Sequence, residues 1–168
     1  MPFLPMKKTT QILLLASLIA LGALLTRAIA HEHPSTPADD VAAIKNVLAT
    51  YNAGMEKLNV SDTAHLFTPD SQVFESGGVE GTFDHYLEHH IGPELAEFSE
   101  FSYHDYTVEV RVDLPFALTT ESYKYRLVVK ATGKTHEKLG VTTSVLKKID
   151  GQWKIVQTHT SSRNLPKK

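Results

Sequence analysis

The sequence contains no cysteine, and this absence excludes disulfide bridges, thiolate metal sites and cysteine nucleophiles. It also lacks a strong charge of either sign, because 17 lysines and arginines stand against 19 aspartates and glutamates. A nucleic-acid-binding protein needs a basic surface to neutralise phosphates, so we expect no nucleic-acid partner. The 168 residues, 42% of them apolar, suffice for one globular domain with its own core. Nine histidines are many for a chain of this length.

The chain also lacks an apolar run long enough to span a membrane. Its longest nearly continuous run, residues 12–25, is shorter than the roughly 20 residues that a spanning helix needs. The run follows Lys7 and Lys8 and precedes Ala28-Ile29-Ala30, a small-x-small pattern that signal peptidase accepts. We therefore predict a signal peptide over residues 1–30, with an uncleaved anchor as the alternative. Cleavage would leave a mildly acidic, secreted or periplasmic protein without a membrane attachment.

The rest of the chain is predicted to form one domain with short ends. Residues 31–37 are polar and proline-rich and form a leader. Residues 38–163 form the domain, because no linker-like or repeated segment divides them. Residues 164–168 form a tail.

Helices are predicted in the first half of the domain. Thr36 can cap a helix that begins at Pro37, and apolar residues at steps of three and four continue it to about Leu58. A short second helical piece is expected from Ser61 to about Leu66, and a third over residues 83–87, after which Gly92-Pro93 would interrupt the helix.

From Phe101 onwards, apolar residues recur with a period of two, which predicts β-strands. Two sets of residues are each expected to share one face of a strand: His104, Tyr106 and Val108, and Trp153, Ile155 and His159. Helices followed by a long antiparallel meander predict an α+β fold, in which the helices pack on a long curved sheet.

Several motifs resemble the SnoaL-like branch of the nuclear transport factor 2 superfamily. They are a long first helix, the turn Phe67-Thr68-Pro69-Asp70, a glycine loop and a terminal hairpin over residues 150–163. The hairpin is the most specific part, because relatives often read W-x-I-x-x-x-H-x-S-x-R. This chain supplies Trp153, Ile155, His159, Ser161 and Arg163. The resemblance covers residues 38–163.

The resemblance implies a cone-shaped, NTF2-like α+β fold with an internal small-molecule pocket, commonly as a homodimer. It implies little about chemistry, because the superfamily includes isomerases, cyclases, dehydratases and members without known activity. An isomerase of the ketosteroid type would need an aspartate base, and the spacing places no carboxylate in that role. The tyrosines expected to bind a ligand in the pocket are Tyr51, Tyr106, Tyr123 and Tyr125.

If the cone forms, three histidines are expected to face its pocket: His90, His104 and His159. An imidazole acts as a general base or binds a metal, so His90 and His159 are candidate catalytic residues and His104 a candidate ligand-binding residue. The alternative for each is a buried, hydrogen-bonded structural role. Arg163 is a candidate for binding a carboxylate ligand, or for a salt bridge at the strand end.

Two further histidine groups have metal-binding spacing. His85 and His89 are four residues apart on one helical face, but their H-x-x-E-H pattern lacks the long helix of zinc peptidases, and we interpret it as chance. After cleavage, His31 and His33 would follow a free amine that, with two amides and the His33 imidazole, suits copper(II) or nickel(II). The alternative is a leader whose histidines bind nothing.

Three functions remain open from the sequence. The first is an exported small-molecule-binding protein with a pocket lined by tyrosine and histidine. The second is a lyase or isomerase with a histidine general base. The third is a periplasmic copper- or zinc-binding protein that uses clustered histidines. No cofactor is predicted, apart from copper or zinc if the histidines bind metal.

Overall fold

The computed structural model describes residues 36–166. The signal peptide, most of the leader and the candidate metal ligands His31 and His33 therefore lie outside the described residues. Within the described part, none of the helices has the length and apolar character that crossing a bilayer requires.

The first helix, α1, runs over Pro37–Glu56 and so begins at the residue that the sequence predicts. Thr36 caps it: the Asp39 backbone N–H donates to the Thr36 hydroxyl, and the Thr36 backbone N–H donates to the Asp39 carboxylate. A second contact fixes the helix to the sheet, because the buried carboxylate of Asp40 accepts hydrogen bonds from Lys148 and from Trp153 Nε1. The amino-terminal turn of α1 is thus held to the last hairpin.

Short helices follow at two places. A 3₁₀-helix spans Ser61–Leu66. The second region begins with α2, Phe83–Tyr86, passes through a π-helical turn, Leu87–Ile91, and ends with α3, Gly92–Ala96. The chain therefore stays helical through Gly92-Pro93, where the sequence predicted an interruption.

Six strands form one sheet in the order β2-β1-β6-β5-β4-β3. They are β1 Phe67–Glu75, β2 Gly78–Gly81, β3 Phe98–Asp113, β4 Phe116–Val129, β5 Thr135–Ile149 and β6 Gln152–Asn164. The strands β3 to β6 form the predicted antiparallel meander. The sheet as a whole is mixed, because β1 pairs parallel to β6. The predicted antiparallel meander therefore forms as expected, and the parallel pair is added where β1 enters the sheet beside the last strand of the chain.

The two faces of the sheet differ. The inner face carries the buried Ala117, Tyr123 and Leu146, and the core formed with the helices lies on this side. The outer face carries exposed residues, among them Leu118 and Val141. Burial of the inner side chains is the main source of stability for a chain without disulfides.

Two β-bulges decide which residues reach the inner face. In β3, His104 pairs with Lys124 and Thr107 with Ser122, so β3 holds one residue more than its partner. In β6, Ile155 pairs with Leu146 and Gln157 with Val145, so Val156 is the extra residue. An extra residue shifts the alternation by one, and residues after each bulge point to the face opposite to the one that a simple period of two predicts.

Candidate functional site

A cavity of about 110 Å³ lies on the inner side of the sheet, and we call it the tyrosine cavity. Five of the six tyrosines in the chain line it: Tyr51, Tyr86, Tyr103, Tyr123 and Tyr125. The sixth, Tyr106, donates a hydrogen bond to the lining residue Glu121. About half of the other lining residues are apolar and come from the helices and from the sheet, and five threonines and serines of β5 and β6 also line the cavity.

The tyrosine rings pack against each other and their hydroxyls are held by the sheet. The Tyr103 and Tyr123 ring centroids are 4.9 Å apart, in an edge-to-face arrangement. Tyr123 Oη lies 2.8 Å from Thr142 Oγ1, and the Tyr125 hydroxyl donates to Ser162 Oγ. Burial raises the pKa of Tyr51 and Tyr103, and that of Tyr123 to about 12. These phenols are therefore neutral hydrogen-bonding groups at physiological pH.

Glu121 is the most deeply buried carboxyl of the cavity, with 3% of its surface exposed. It sits on β4 and accepts hydrogen bonds from the Tyr106 hydroxyl, at 2.7 Å, and from Asn52 Nδ2, at 3.1 Å. Burial raises its pKa, and the two hydrogen bonds oppose that rise. Sequence reasoning missed Glu121, although its position two residues before Tyr123 on a strand places it on the same face.

Two more carboxyls, Glu75 and Glu94, line the cavity. The Tyr86 hydroxyl donates to Glu75 Oε2. Burial raises the pKa of Glu94, and the nearby charge of Glu75 adds to that rise. The part of the lining that residues 36–166 supply contains three glutamates and no lysine, arginine or histidine, so its electrostatic character is acidic.

His90 stands beside these two glutamates. Its Nδ1–H donates to Oε2 of Glu80 over 2.9 Å, and its Nε2 lies 3.9 Å from Oε2 of Glu94. The hydrogen bond to Glu80 is the main cause of a raised His90 pKa. His90 does not line the cavity itself, but it contacts a residue that does.

The π-helical turn places His90 and Glu94 on adjacent turns, and Gly92-Pro93 accounts for it. Proline has no N–H and its ring would collide with the carbonyl four residues earlier in a regular α-helix. The wider turn relieves this collision, with the Gly92 N–H bonded to the Leu87 carbonyl. A Cβ at position 92 would stand 2.4 Å from that same oxygen, so only glycine fits.

Two histidines predicted to face the pocket do not do so. His104 is exposed and contacts Ser102 Oγ, and His159 is exposed on the outer face beside Phe74. The two bulges explain both errors. Tyr103 takes the inner position that the alternation gave to His104, and Thr158 and Thr160 take the positions expected for His159 and its neighbours.

Arg163 also lies away from the tyrosine cavity. It borders a separate depression on the outer face, together with Lys124 and Asp105. In that depression Lys124 Nζ is 2.5 Å from Asp105 Oδ2. Among residues 36–166, His90, His104 and His159 thus form no common site.

Comparison with known proteins agrees with this architecture. A family model described as SnoaL-like domain matches residues 44–164. A search of curated protein sequences finds no significant match.

Solved structures with this architecture are similar over most of their length. A nuclear transport factor 2-like superfamily protein from Salmonella enterica serovar Typhimurium has a TM-score of 0.68 and 20% identity, over 79% of this chain and 95% of that one. Hexachlorocyclohexane dehydrochlorinase LinA-type3 from Novosphingobium barchaimii has a TM-score of 0.66 and 14% identity, over 77% and 90%. Identities this low show a shared fold and no more.

Proposed function

We propose that this chain, which belongs to the SnoaL-like domain family, binds a small uncharged or cationic organic molecule in the tyrosine cavity. The observation that carries the proposal is the lining as the described residues form it: five tyrosines and three glutamates, with no lysine, arginine or histidine. An anionic ligand would meet carboxylates without a compensating cation, which costs electrostatic free energy. A neutral or cationic ligand meets no such penalty.

The size and polarity of the cavity narrow the ligand further. A volume of about 110 Å³ limits the enclosed part of the ligand to about one small ring. Its apolar wall would take the ring, while the tyrosine hydroxyls offer hydrogen bonds to an oxygen or nitrogen substituent. Because burial keeps Tyr51 and Tyr103 protonated, they supply donors rather than charge.

A matched set of three probes tests the charge preference. Benzyl alcohol, benzylamine and benzoate have nearly the same shape and differ in charge, and saturation-transfer NMR measures their binding at neutral pH. We expect the alcohol and the ammonium form to bind at least about tenfold more tightly than benzoate, since one unfavourable charge contact costs about 1.4 kcal/mol or more. Binding of benzoate as tight as that of the alcohol would overturn the proposal.

Two neighbouring residues on β5 locate the binding. Thr142 lines the cavity, whereas Thr143 points to the outer face. Thr142→Leu is expected to fill the cavity and abolish probe binding, and the matched Thr143→Leu to leave it unchanged. Melting temperatures of both variants check that each is folded. Equal effects of the two substitutions would place the probes outside the cavity.

An enzymatic role is the second candidate, and the Glu80–His90 pair favours it. When the imidazole is neutral, a carboxylate that accepts its Nδ1–H leaves the lone pair on Nε2, which is the arrangement of a histidine general base. One structural relative is named as a dehydrochlorinase, and elimination reactions of this kind begin with removal of a proton. The chain would then act as a lyase or isomerase.

Proton exchange can test this second candidate without a known substrate. A small aromatic ketone is incubated with the protein in D₂O, and NMR follows deuterium incorporation next to the carbonyl. We expect catalysed exchange that His90→Gln abolishes and Glu80→Gln slows, while His89→Gln, an exposed neighbour, leaves it unchanged. Exchange at the wild-type rate in His90→Gln would exclude His90 as the base.

A further inference from the structure

Three metal-ligating side chains converge at the edge of the tyrosine cavity. They are Glu75 from β1, His90 from the π-helical turn and Glu94 from α3, and one ligand atom of each lies within 4.8 Å of the others. Within residues 36–166 this is the one set of three such groups with that spacing. The three elements meet here because the π-helical turn keeps the chain helical from His90 to Glu94.

The imidazole of His90 has the orientation that is common in metal-bound histidines. Glu80 accepts the Nδ1–H of His90 at 2.9 Å, so in the neutral ring the lone pair lies on Nε2, which is 3.9 Å from Oε2 of Glu94. Metal-bound histidines commonly donate their other ring N–H to a carboxylate in this way, since the bond fixes the tautomer and the ring orientation. Glu80 is therefore a supporting residue and not a ligand.

The glutamates are similarly arranged. Glu75 is held by the Tyr86 hydroxyl on Oε2, and Glu94 is half-exposed, so water can reach the group. A zinc ion holds its nitrogen and oxygen ligands at about 2.0–2.2 Å, which puts them roughly 3.3 Å from each other. The ligand atoms, which lie within 4.8 Å of one another, must therefore move by about an ångström. Rotation of the half-exposed Glu94 side chain allows a movement of this size.

We propose that Glu75, His90 and Glu94 bind one divalent transition-metal ion, such as Zn²⁺, at the edge of the tyrosine cavity. One imidazole nitrogen and two carboxylates match the preference of zinc and its neighbours for mixed nitrogen and oxygen donors. Three protein ligands leave a coordination position open, and the two lining glutamates put that position next to the cavity. The site does not depend on which organic molecule the cavity binds.

The test is isothermal titration of Zn²⁺ into the full, untagged, chelator-treated chain. Because His31 and His33 could bind metal by themselves, both are replaced with alanine in every protein tested. We expect one Zn²⁺ per chain, with affinity at least tenfold weaker in His90→Ala and in Glu94→Gln. Glu80→Gln is expected to weaken binding by about tenfold, as loss of a supporting carboxylate does.

His89→Ala is the matched control, because His89 is the exposed neighbour of His90 and its ring lies against that of His85. It is expected to bind Zn²⁺ normally. Absence of binding in the parent protein would overturn the proposal, as would binding that survives His90→Ala or is lost in His89→Ala. Melting temperatures in EDTA show that each variant is folded, and Co²⁺ spectra report the coordination geometry separately.

The outcome is distinct from that of the ligand experiment. Failure of Zn²⁺ binding leaves the probe measurements untouched, and failure of probe binding leaves the titration untouched. A metal on Nε2 would also occupy the atom that a general base needs. Deuterium exchange that Zn²⁺ suppresses would therefore show that the metal and the proton compete for His90.

Discussion

Gly140 lies beneath the ring of Tyr123 on the neighbouring strand, and a Cβ at position 140 would stand 2.2 Å from Tyr123 Cε2. The ring therefore occupies the space that a side chain at position 140 would take. Gly140→Ala must push the ring into the cavity or separate the strands. We expect a loss of about 1–3 kcal/mol in the free energy of unfolding, measured with urea, because overpacking of this kind has that cost.

A double-mutant cycle shows whether Tyr123 is the cause. In a Tyr123→Leu background the clash is largely absent, so Gly140→Ala should cost much less than in the wild type. An equal cost in both backgrounds would mean that position 140 requires glycine for another reason.

Glu121 gives the protein a characteristic dependence of stability on pH. Burial raises its pKa above the ordinary value of 4.5, so the folded protein keeps a proton that the unfolded chain releases. The stability of the wild type relative to Glu121→Gln is therefore fully present below pH 4.5 and is lost as the pH rises through the raised pKa. Urea unfolding of both proteins between pH 4 and pH 8 measures this difference. Glu109→Gln, on an exposed position of β3, should give a flat difference.

The π-helical turn depends on Gly92. Because a Cβ there would stand 2.4 Å from the Leu87 carbonyl oxygen, Gly92→Ala must distort the turn. We expect a loss of about 1–3 kcal/mol in the free energy of unfolding, together with weaker Zn²⁺ binding because His90 and Glu94 move apart. Glu88→Ala, an exposed residue of the same turn, is the control for both measurements. Normal stability of Gly92→Ala would show that the turn tolerates a side chain.

The start of α1 and the meander could be predicted from the sequence, because capping residues and alternation act locally. The family could be predicted because its motifs, above all the terminal hairpin, are short and continuous in the chain. The face of the sheet on which His104 and His159 lie could not be predicted in this way. Each follows from one extra residue in a strand, at Asp105-Tyr106 and at Val156, and an extra residue leaves the local alternation intact while reversing its direction. Asp105 has a φ of +50°, which an aspartate tolerates better than most residues, and this is a weak sequence signal.

Some residues of the candidate site could be predicted from the sequence and others could not, for a related reason. Tyr51, Tyr123 and Tyr125 were found because they lie on elements without an intervening bulge. Glu75 and Glu94 were missed, because their proximity depends on the parallel pairing of β1 and on a π-helical turn at Gly92-Pro93. Neither feature leaves a periodic pattern, so the approach of Glu75, His90 and Glu94 is a property of the tertiary structure.

The outer face of the sheet is a candidate dimer surface. Leu118 and Val141 are 49% and 43% exposed there, among outward-pointing threonines and serines such as Thr120 and Ser161. We propose that this face pairs with the same face of a second copy, since a band of apolar and uncharged side chains is self-complementary. Sedimentation should show a dimer for the wild type and a monomer for Leu118→Asp. Asp84→Ala, on α2, should stay dimeric, and a monomeric wild type at micromolar concentration would contradict the proposal.

Asp40 joins α1 to the sheet, and we expect its removal to lower the free energy of unfolding strongly. Its buried carboxylate accepts from Lys148 Nζ at 2.6 Å and from Trp153 Nε1 at 3.0 Å, and so joins α1 to both strands of the last hairpin. Asp40→Ala takes away the charge that faces a largely buried ammonium, and breaking such a pair typically costs about 3–5 kcal/mol. Asp40→Asn keeps an acceptor for Trp153 and should cost less.

Asp39→Ala is the comparison that separates this contact from helix capping. Asp39 is exposed and belongs to the capping box with Thr36, so its loss should cost about 0.5–2 kcal/mol. Urea unfolding should therefore rank the variants Asp40→Ala, Asp40→Asn and Asp39→Ala in order of decreasing damage. If Asp40→Ala were no worse than Asp39→Ala, the contacts with Lys148 and Trp153 would add little beyond the helix dipole, and the attachment of α1 would have to come from its apolar face alone.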